Sequence, residues 1–183
     1  MTYIFDGPEA ERLRAAAPVY GRPLFTIGSS AELYDLNETV LRLSSDSSSH
    51  CFLILADSKG LAVPRCIRDW GSVGISDDFP RHEHYWLAEF EKMIPLIDVA
   101  SKYELMADWL VDLERLSSEE VGLIEREEIK SLLDVLHNGD WPESLAVVVE
   151  TTIFMADLCL IWDCALDMSI SNFMLRPTTN EIV

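Results

Sequence analysis

The hydrophobic pattern changes about halfway along this chain, and that change limits the folds open to it. Before residue 68, apolar residues occur in short runs separated by turn residues, as they do in small strands and helices. From His82 to Asn138 they recur at helical spacing instead. The pattern predicts an α+β fold, with short strands and helices in the N-terminal third, a helical middle and a C-terminal β-hairpin.

Turn and capping residues divide the N-terminal third into short elements. Runs of β-favouring residues predict four strands, at 2–5, 23–27, 51–56 and 61–67. Pro8 suits the first turn of a short helix that ends near Ala17. A second helix is predicted from a cap at Ser29 or Ser30 to Leu43, because its apolar residues have helical spacing.

The second half is predicted to be mainly helical as far as residue 155. Apolar spacing and capping residues predict helices at about 86–97, 96–116, 117–138 and 142–155. A hairpin is predicted across 158–171, with its turn near Ala165. We predict one domain over residues 1–183. Residues 68–81, with two glycines and one proline, mark a sub-boundary between a near-neutral α/β part and an acidic, mainly helical part.

Acidic residues are concentrated in the second half. Residues 1–81 hold 11 acidic and 8 basic residues, whereas residues 82–183 hold 21 acidic and 6 basic residues, out of a formal net charge of −18. The negative electrostatic potential of such a chain repels nucleic acid and anionic membranes and attracts basic proteins. We therefore predict a basic protein partner, no nucleic acid and no membrane.

The chain start and the cysteines indicate an intracellular protein. Residues 1–12 have neither the basic nor the apolar region of a signal peptide. The most apolar stretch, 145–162, is interrupted by Glu150 and Asp157, so we expect it in a soluble core. The four cysteines form no C-x-x-C pair and are expected to be reduced thiols. The predicted location is the cytoplasm.

Motifs for catalysis or cofactor binding are weak in this chain. His82 and His84 are a close pair, but residues two apart on a helix point in nearly opposite directions and do not share a metal as an i, i+4 pair does. The chain has no glycine-rich nucleotide loop and no nucleophile elbow. We therefore predict that the protein is not an enzyme and binds no cofactor.

Two glutamates provide the alternative to that prediction. Glu125 and Glu128 fall within the apolar arc of the predicted helix 117–138. A close carboxylate pair can act as acid and base or bind a hard cation, so a small hydrolase or metal-dependent enzyme, using this pair or the histidine loop, is the alternative function. The favoured interpretation places both glutamates at the stripe's edge, where they reach water or an arginine such as Arg65 or Arg68.

The predicted helix 96–116 carries the clearest sign of a binding surface. Opposite its apolar core arc lies a face that holds Asp98, Leu105, Asp108, Trp109, Asp112 and Leu116. Interfaces centre on aromatic residues, and acidic rims steer basic partners, so we predict that these six residues bind the partner. In the alternative interpretations, both faces of the helix are packed in the core, or the second face is a homodimer interface.

The C-terminal run from Asp157 to Ser171, Asp-Leu-Cys-Leu-Ile-Trp-Asp-Cys-Ala-Leu-Asp-Met-Ser-Ile-Ser, resembles that of bacterial toxin-immunity proteins, which often end in a short Trp-containing strand pair. The resemblance implies a cytoplasmic inhibitor that binds a toxin domain and blocks its active site without doing chemistry. Together with the charge, it predicts an acidic inhibitor of a basic toxin or nuclease. The alternatives are the small enzyme and the structural homodimer subunit.

Overall fold

The computed structural model describes residues 5–28, 30–117 and 122–183, which pack as two units. The first unit contains Met1–Leu55 and Pro64–Lys92, and the second contains Ala56–Val63 and Met93–Val183. The α+β class is confirmed. The predicted sub-boundary at 68–81 is misplaced, because most of that range forms a strand of the first unit.

The first unit is built on a five-stranded antiparallel sheet with strand order β1-β2-β3-β5-β4. Its elements are α1 (Pro8–Arg14), β1 (Leu24–Ile27), β2 (Ala31–Asp35), β3 (Thr39–Ser44), α2 (Ser47–Ser58), β4 (Cys66–Ile75) and β5 (His84–Glu91). The structure confirms the predicted strand at 23–27 and the predicted helix that begins at Pro8. Residues 2–4 of the predicted first strand lie outside the described residues.

The second unit is mainly helical, with short strands between its helices. Its elements are β6 (Ile94–Pro95), α3 (Ala100–Ser117), β7 (Leu123–Ile124), α4 (Ile129–Asn138), α5 (Ala146–Trp162), β8 (Leu166–Asp167), β9 (Met174–Arg176) and β10 (Glu181–Ile182). Short 3-10 turns occupy Leu96–Asp98, Glu143–Leu145 and Ile170–Asn172. The strands form a three-stranded sheet, β10-β9-β6, and a two-stranded ladder, β7-β8.

The two faces of the first unit's sheet differ in chemistry. Because side chains alternate along a strand, Leu41 and Leu43 of β3 point to one face, where they pack with residues of α1. Val40 and Arg42 point to the other face, where Leu53 and Ile54 of α2 cover Val40. One face is therefore apolar, whereas the face beneath α2 also carries a charged side chain.

A buried ionic network lies on the α1 side of this sheet. The Arg14 guanidinium donates to both oxygens of the Glu32 carboxylate, at 2.6 and 3.2 Å, and the Tyr34 hydroxyl donates to Glu32 as well. Arg14 also donates to the Phe5 carbonyl at 2.9 Å. The pKa of Tyr34 is raised well above its ordinary value by burial and by the Glu32 charge. The buried negative charge of Glu32 is therefore stabilised by these partners.

Four predicted elements in this part of the chain are wrong. The predicted strand 61–67 is mostly irregular, because only its last two residues, Cys66 and Ile67, belong to β4. The predicted helix from residue 30 to Leu43 is the β2-β3 hairpin, whose turn depends on Asn37 at a φ of 73° and on its N–H bond to the Asp35 carboxylate. The predicted strand 51–56 lies in α2, which Asp46 starts by accepting the Ser49 N–H at 3.0 Å. The predicted helix 86–97 is mostly β5, where buried and half-buried residues nearly alternate.

The second unit differs from its predicted elements mainly in their boundaries. The helix predicted at 96–116 is α3, and the one predicted at 142–155 is α5, which runs on to Trp162. The hairpin predicted at 158–171 is wrong, because residues 158–162 belong to α5 and Leu166–Asp167 pairs with β7. The hairpin at the C-terminus consists of β9 and β10 instead. The third predicted helix, at about 117–138, begins later, at Ile129, and residues 118–121 of its predicted range lie outside the described residues.

The apolar stretch around α5 contributes to the core of the second unit. By length and hydropathy, Glu143–Trp162 is the one helical stretch of the described residues that meets the criteria for a membrane span. A soluble core helix meets the same criteria, and Val148, Val149, Ala156 and Cys159 lie in the unit's apolar cluster. All four cysteines are free thiols, and burial raises the pKa of Cys159 to about 12.

Candidate binding groove

A groove of about 270 Å³ lies between α3 and the segment that follows α4. Five of the six residues predicted to bind a partner line it, namely Leu105, Asp108, Trp109, Asp112 and Leu116. The opposite wall is formed by the segment Asp140–Pro142 together with Leu145. Asp98 is not part of the groove, because it lies in the 3-10 turn before α3 and not on the predicted helix.

Trp109 is the floor of the groove, not an exposed anchor. Its side chain is 3% exposed and meets the ring of Trp141 edge-on at 6.2 Å and 82°, and the ring of Phe173 at 6.2 Å and 89°. The prediction that Trp109 faces outward is wrong. Its side chain is covered by Trp141, which precedes α5 in the sequence, and by Phe173, which follows α5. The alternative, in which both faces of the helix are packed, applies here.

Trp141 forms one wall through two local constraints. Its indole N–H donates to the Leu136 carbonyl, the last turn of α4, at 2.9 Å. Its ring lies so close to Gly139 that a Cβ at that position would overlap it. Gly139 caps the C-terminal end of α4, and it also makes room for the wall of the groove.

The rim of the groove carries three exposed carboxylates, Asp108, Asp112 and Asp140. Arg115 is the basic residue of the lining, and it pairs with Asp112 at 2.9 Å where both side chains are mostly exposed. The surrounding unit holds 19 acidic and 6 basic residues. The arrangement suits a cationic side chain, because the carboxylates attract its charge while the indoles and leucines contact its apolar stem.

The structure places the glutamate pair in a turn and the histidine pair around the start of a strand. Glu125 and Glu128 lie in the turn before α4, where the Glu125 N–H donates to the Glu128 carboxylate at 2.9 Å, and Glu125 is exposed. His82 lies 4.0 Å from Asp78, and His84 is in β5. Within the described ranges, no group of three or more His, Cys, Asp or Glu side chains is arranged to hold a metal ion.

A polar cluster that was not predicted from the sequence lies beneath α2. His50 is 2% exposed, its Nε2 lies 3.2 Å from the Asp69 carboxylate, and its ring stacks on Trp86 at 4.9 Å. Arg42 reaches the first turn of α2, where it donates to the Ser49 hydroxyl at 2.9 Å. The available signal was Arg42 itself, a charged residue between two leucines in an otherwise apolar strand.

We expect His50 to make stability depend on pH. Burial lowers its pKa below the ordinary value, an effect that the nearby Asp69 charge only partly offsets. The folded state therefore favours neutral His50, so its contribution is present above the ordinary pKa of about 6.5 and is lost as the pH falls toward the folded-state pKa. Denaturant unfolding between pH 7.5 and 5.5 should show a shallower loss of stability for His50→Gln than for wild type. His137→Gln, at an exposed position, is the control, and an unchanged slope in His50→Gln would contradict the assignment.

In comparisons with protein-family models, with curated proteins and with solved structures, no match to this chain was found.

Proposed function

We propose that this chain is an acidic binding protein whose groove receives a lysine side chain from a basic protein partner. The observation that carries the proposal is the placement of Asp108, Asp112 and Asp140 around an aromatic floor and wall formed by Trp109 and Trp141. Carboxylates over an apolar floor match a side chain that has an apolar stem and a cationic head.

Arg115 pairs with one of the rim carboxylates, Asp112, within the chain itself. Its ion pair with Asp112 is mostly exposed, and such pairs contribute little to stability. A cation from a partner therefore displaces Arg115 at little cost and takes over the Asp112 carboxylate.

The biological role that fits this proposal best is inhibition by occlusion in the cytoplasm. A basic toxin or nuclease has a cationic surface for nucleic acid, and an acidic protein that covers this surface blocks it without chemistry of its own. The strand pair that the resemblance implied for residues 157–171 is not present, because Trp162 is the last residue of α5, so the proposed role depends on the groove and the charge and not on that run. The alternatives, a small enzyme or a homodimer subunit, gain no specific support from the groove.

If the groove binds the partner, two of its rim carboxylates should control the rate at which the two proteins associate. Asp108→Asn combined with Asp140→Asn should slow association with a purified basic partner by roughly tenfold at low salt, since rim charges act mainly on the association rate. The partner is first isolated from the host by binding to the wild-type chain, and the rates are then measured with both proteins purified.

A matched variant separates local from overall charge. Glu150→Gln combined with Asp157→Asn removes the same charge from exposed positions of α5 outside the groove. We expect this control to bind nearly as fast as wild type. Equal slowing of both double variants would show that net charge alone steers the partner, and no slowing in either would place the interface elsewhere.

A further inference from the structure

Two cysteines meet at the C-terminal end of α5. Cys159 lies in the last turn of the helix, and Cys164 is the second residue after it. Between them, Asp163 has a left-handed backbone with a φ of 59°, which turns the chain back toward the helix. The N–H groups of Asp163 and Cys164 both donate to the Cys159 carbonyl, the second at 3.1 Å. Helix caps of this kind bring the side chains at the positions of Cys159 and Cys164 together.

The backbone hydrogen bond limits the distance between the two cysteines. A carbonyl oxygen lies about 2.4 Å from its own α-carbon, and an amide nitrogen lies about 1.5 Å from its own. With the 3.1 Å bond between them, the α-carbons of Cys159 and Cys164 are at most about 7 Å apart. Disulfides join α-carbons that are roughly 4.4–6.8 Å apart. The backbone therefore already holds the two residues close to the separation that a disulfide needs.

The two side chains are also in contact. The Cys159 thiol donates to the carbonyl of Ala165, the residue after Cys164, at 3.6 Å. Burial raises the pKa of Cys159 to about 12, and a hydrogen bond between its thiol and the Cys164 side chain adds to the increase. The Cys159 sulfur therefore lies beside the Cys164 sulfur.

The two thiols differ in their access to solvent. Cys159 is 6% exposed, whereas Cys164 is half-buried and follows the exposed Asp163. An oxidant from solution therefore reaches Cys164, while Cys159 stays a protonated thiol behind it. An accessible cysteine with a second thiol in contact is the arrangement found at redox-sensing sites. The negative charge of the surrounding unit disfavours the reactive thiolate, so we expect the oxidation to be slow.

We propose that Cys159 and Cys164 are a site of reversible oxidation, at which hydrogen peroxide converts the two thiols into a disulfide. The Cys164 sulfur attacks one peroxide oxygen, the O–O bond breaks, and water leaves as Cys164 becomes a sulfenic acid. The Cys159 sulfur then attacks the Cys164 sulfur, the S–O bond breaks, and a second water leaves. The two sulfurs lose two electrons in total, the peroxide gains them, and the two thiol protons end in the two waters.

The disulfide would fasten the end of α5 to the turn that leads into β8. That turn is followed directly by Leu166–Asp167, which pairs with β7. In a reducing compartment, cellular thiols return the disulfide to two thiols by exchange, so the bond is transient there. The site lies in the second unit, and it does not depend on the function proposed for the groove.

The test is oxidation of the folded full chain with hydrogen peroxide, raised until Cys51 begins to react. The remaining thiols are then alkylated with N-ethylmaleimide in denaturant. Trypsin gives one peptide, residues 131–176, that contains Cys159 and Cys164 but neither of the other two cysteines. We expect this peptide to lose both thiols together, with a mass lower by two hydrogen atoms, and dithiothreitol to restore them.

Peptides that have lost a single thiol should be at least about tenfold rarer, because the contacting thiol acts at a high effective concentration. If the peptide lost only one thiol, or kept both while Cys51 reacted, the proposal would be overturned.

Three variants separate this pair from general cysteine oxidation. Cys164→Ser should leave Cys159 as fully alkylated as in untreated protein, and Cys159→Ser should leave Cys164 as a sulfenic acid that dimedone labels. Cys51→Ser combined with Cys66→Ser is the matched control, because both residues are half-buried, as Cys164 is. We expect this control to form the disulfide as wild type does. Loss of the Cys159 thiol in Cys164→Ser, or a disulfide that disappears in the control, would show that Cys159 and Cys164 do not act as a pair.

Discussion

Trp109→Ala is expected to lower the free energy of unfolding by about 3–5 kcal/mol, the range for truncating a large aromatic residue in a core. Trp109 is 3% exposed and meets two aromatic rings, Trp141 and Phe173, that come from separate parts of the chain. Its removal leaves a cavity that these rings cannot fill without moving. Urea unfolding followed by circular dichroism measures the loss.

Trp109→Phe provides the control for that result. It keeps an aromatic ring at the floor of the groove, and it removes an indole N–H that has no partner among the described residues. We expect it to cost less than half as much as the alanine variant, because the hydrogen-bonding capacity that it removes is not used in the fold. A loss below about 1 kcal/mol for Trp109→Ala would show that the residue is exposed, as surface substitutions rarely exceed that value.

Glu32→Ala is expected to lower the free energy of unfolding by about 3 kcal/mol. The variant leaves the Arg14 guanidinium and the buried Tyr34 hydroxyl without the carboxylate that both now contact. Breaking one side of a buried ion pair typically costs about 3–5 kcal/mol. We expect the lower end of this range because the Arg14 side chain is 32% exposed, so water can solvate its charge in the variant.

A neighbouring glutamate gives the matched control for Glu32. Glu38 lies exposed in the β2-β3 turn, and Glu38→Ala should change stability by no more than about 0.5 kcal/mol. Denaturant midpoints of both variants are compared at pH 7. If the two variants were equally stable, the Arg14 network would not contribute to the fold.

The groove was predictable in part because α3 is long and its residues keep helical spacing. That spacing placed Leu105, Asp108, Asp112 and Leu116 together, and the structure shows all four along one groove. The exposure of Trp109 was not predictable, because it depends on Trp141 and Phe173, which are distant in sequence. A helical projection shows which residues share a face but not which element covers that face.

The first unit was harder to predict because its signals compete locally. The serine-rich run before His50 has the composition of a loop, yet Asp46 caps a helix there. In β5, Leu87 and Phe90 have the spacing of one helix face, yet they lie on opposite faces of the sheet, and pairing with β3 and β4 overrides the helical pattern. The polar cluster beneath α2 depends on that pairing, so the linear sequence did not reveal it.

The groove's role as the contact site for a basic partner is tested most directly by carboxyl-to-amine cross-linking of the purified complex. A carbodiimide joins only carboxylates and lysines that touch, and mass spectrometry identifies each linked pair. The proposed function predicts links from Asp108, Asp112 and Asp140 to lysines of the partner. Links confined to carboxylates outside the groove, such as Glu150 and Asp157, would contradict it.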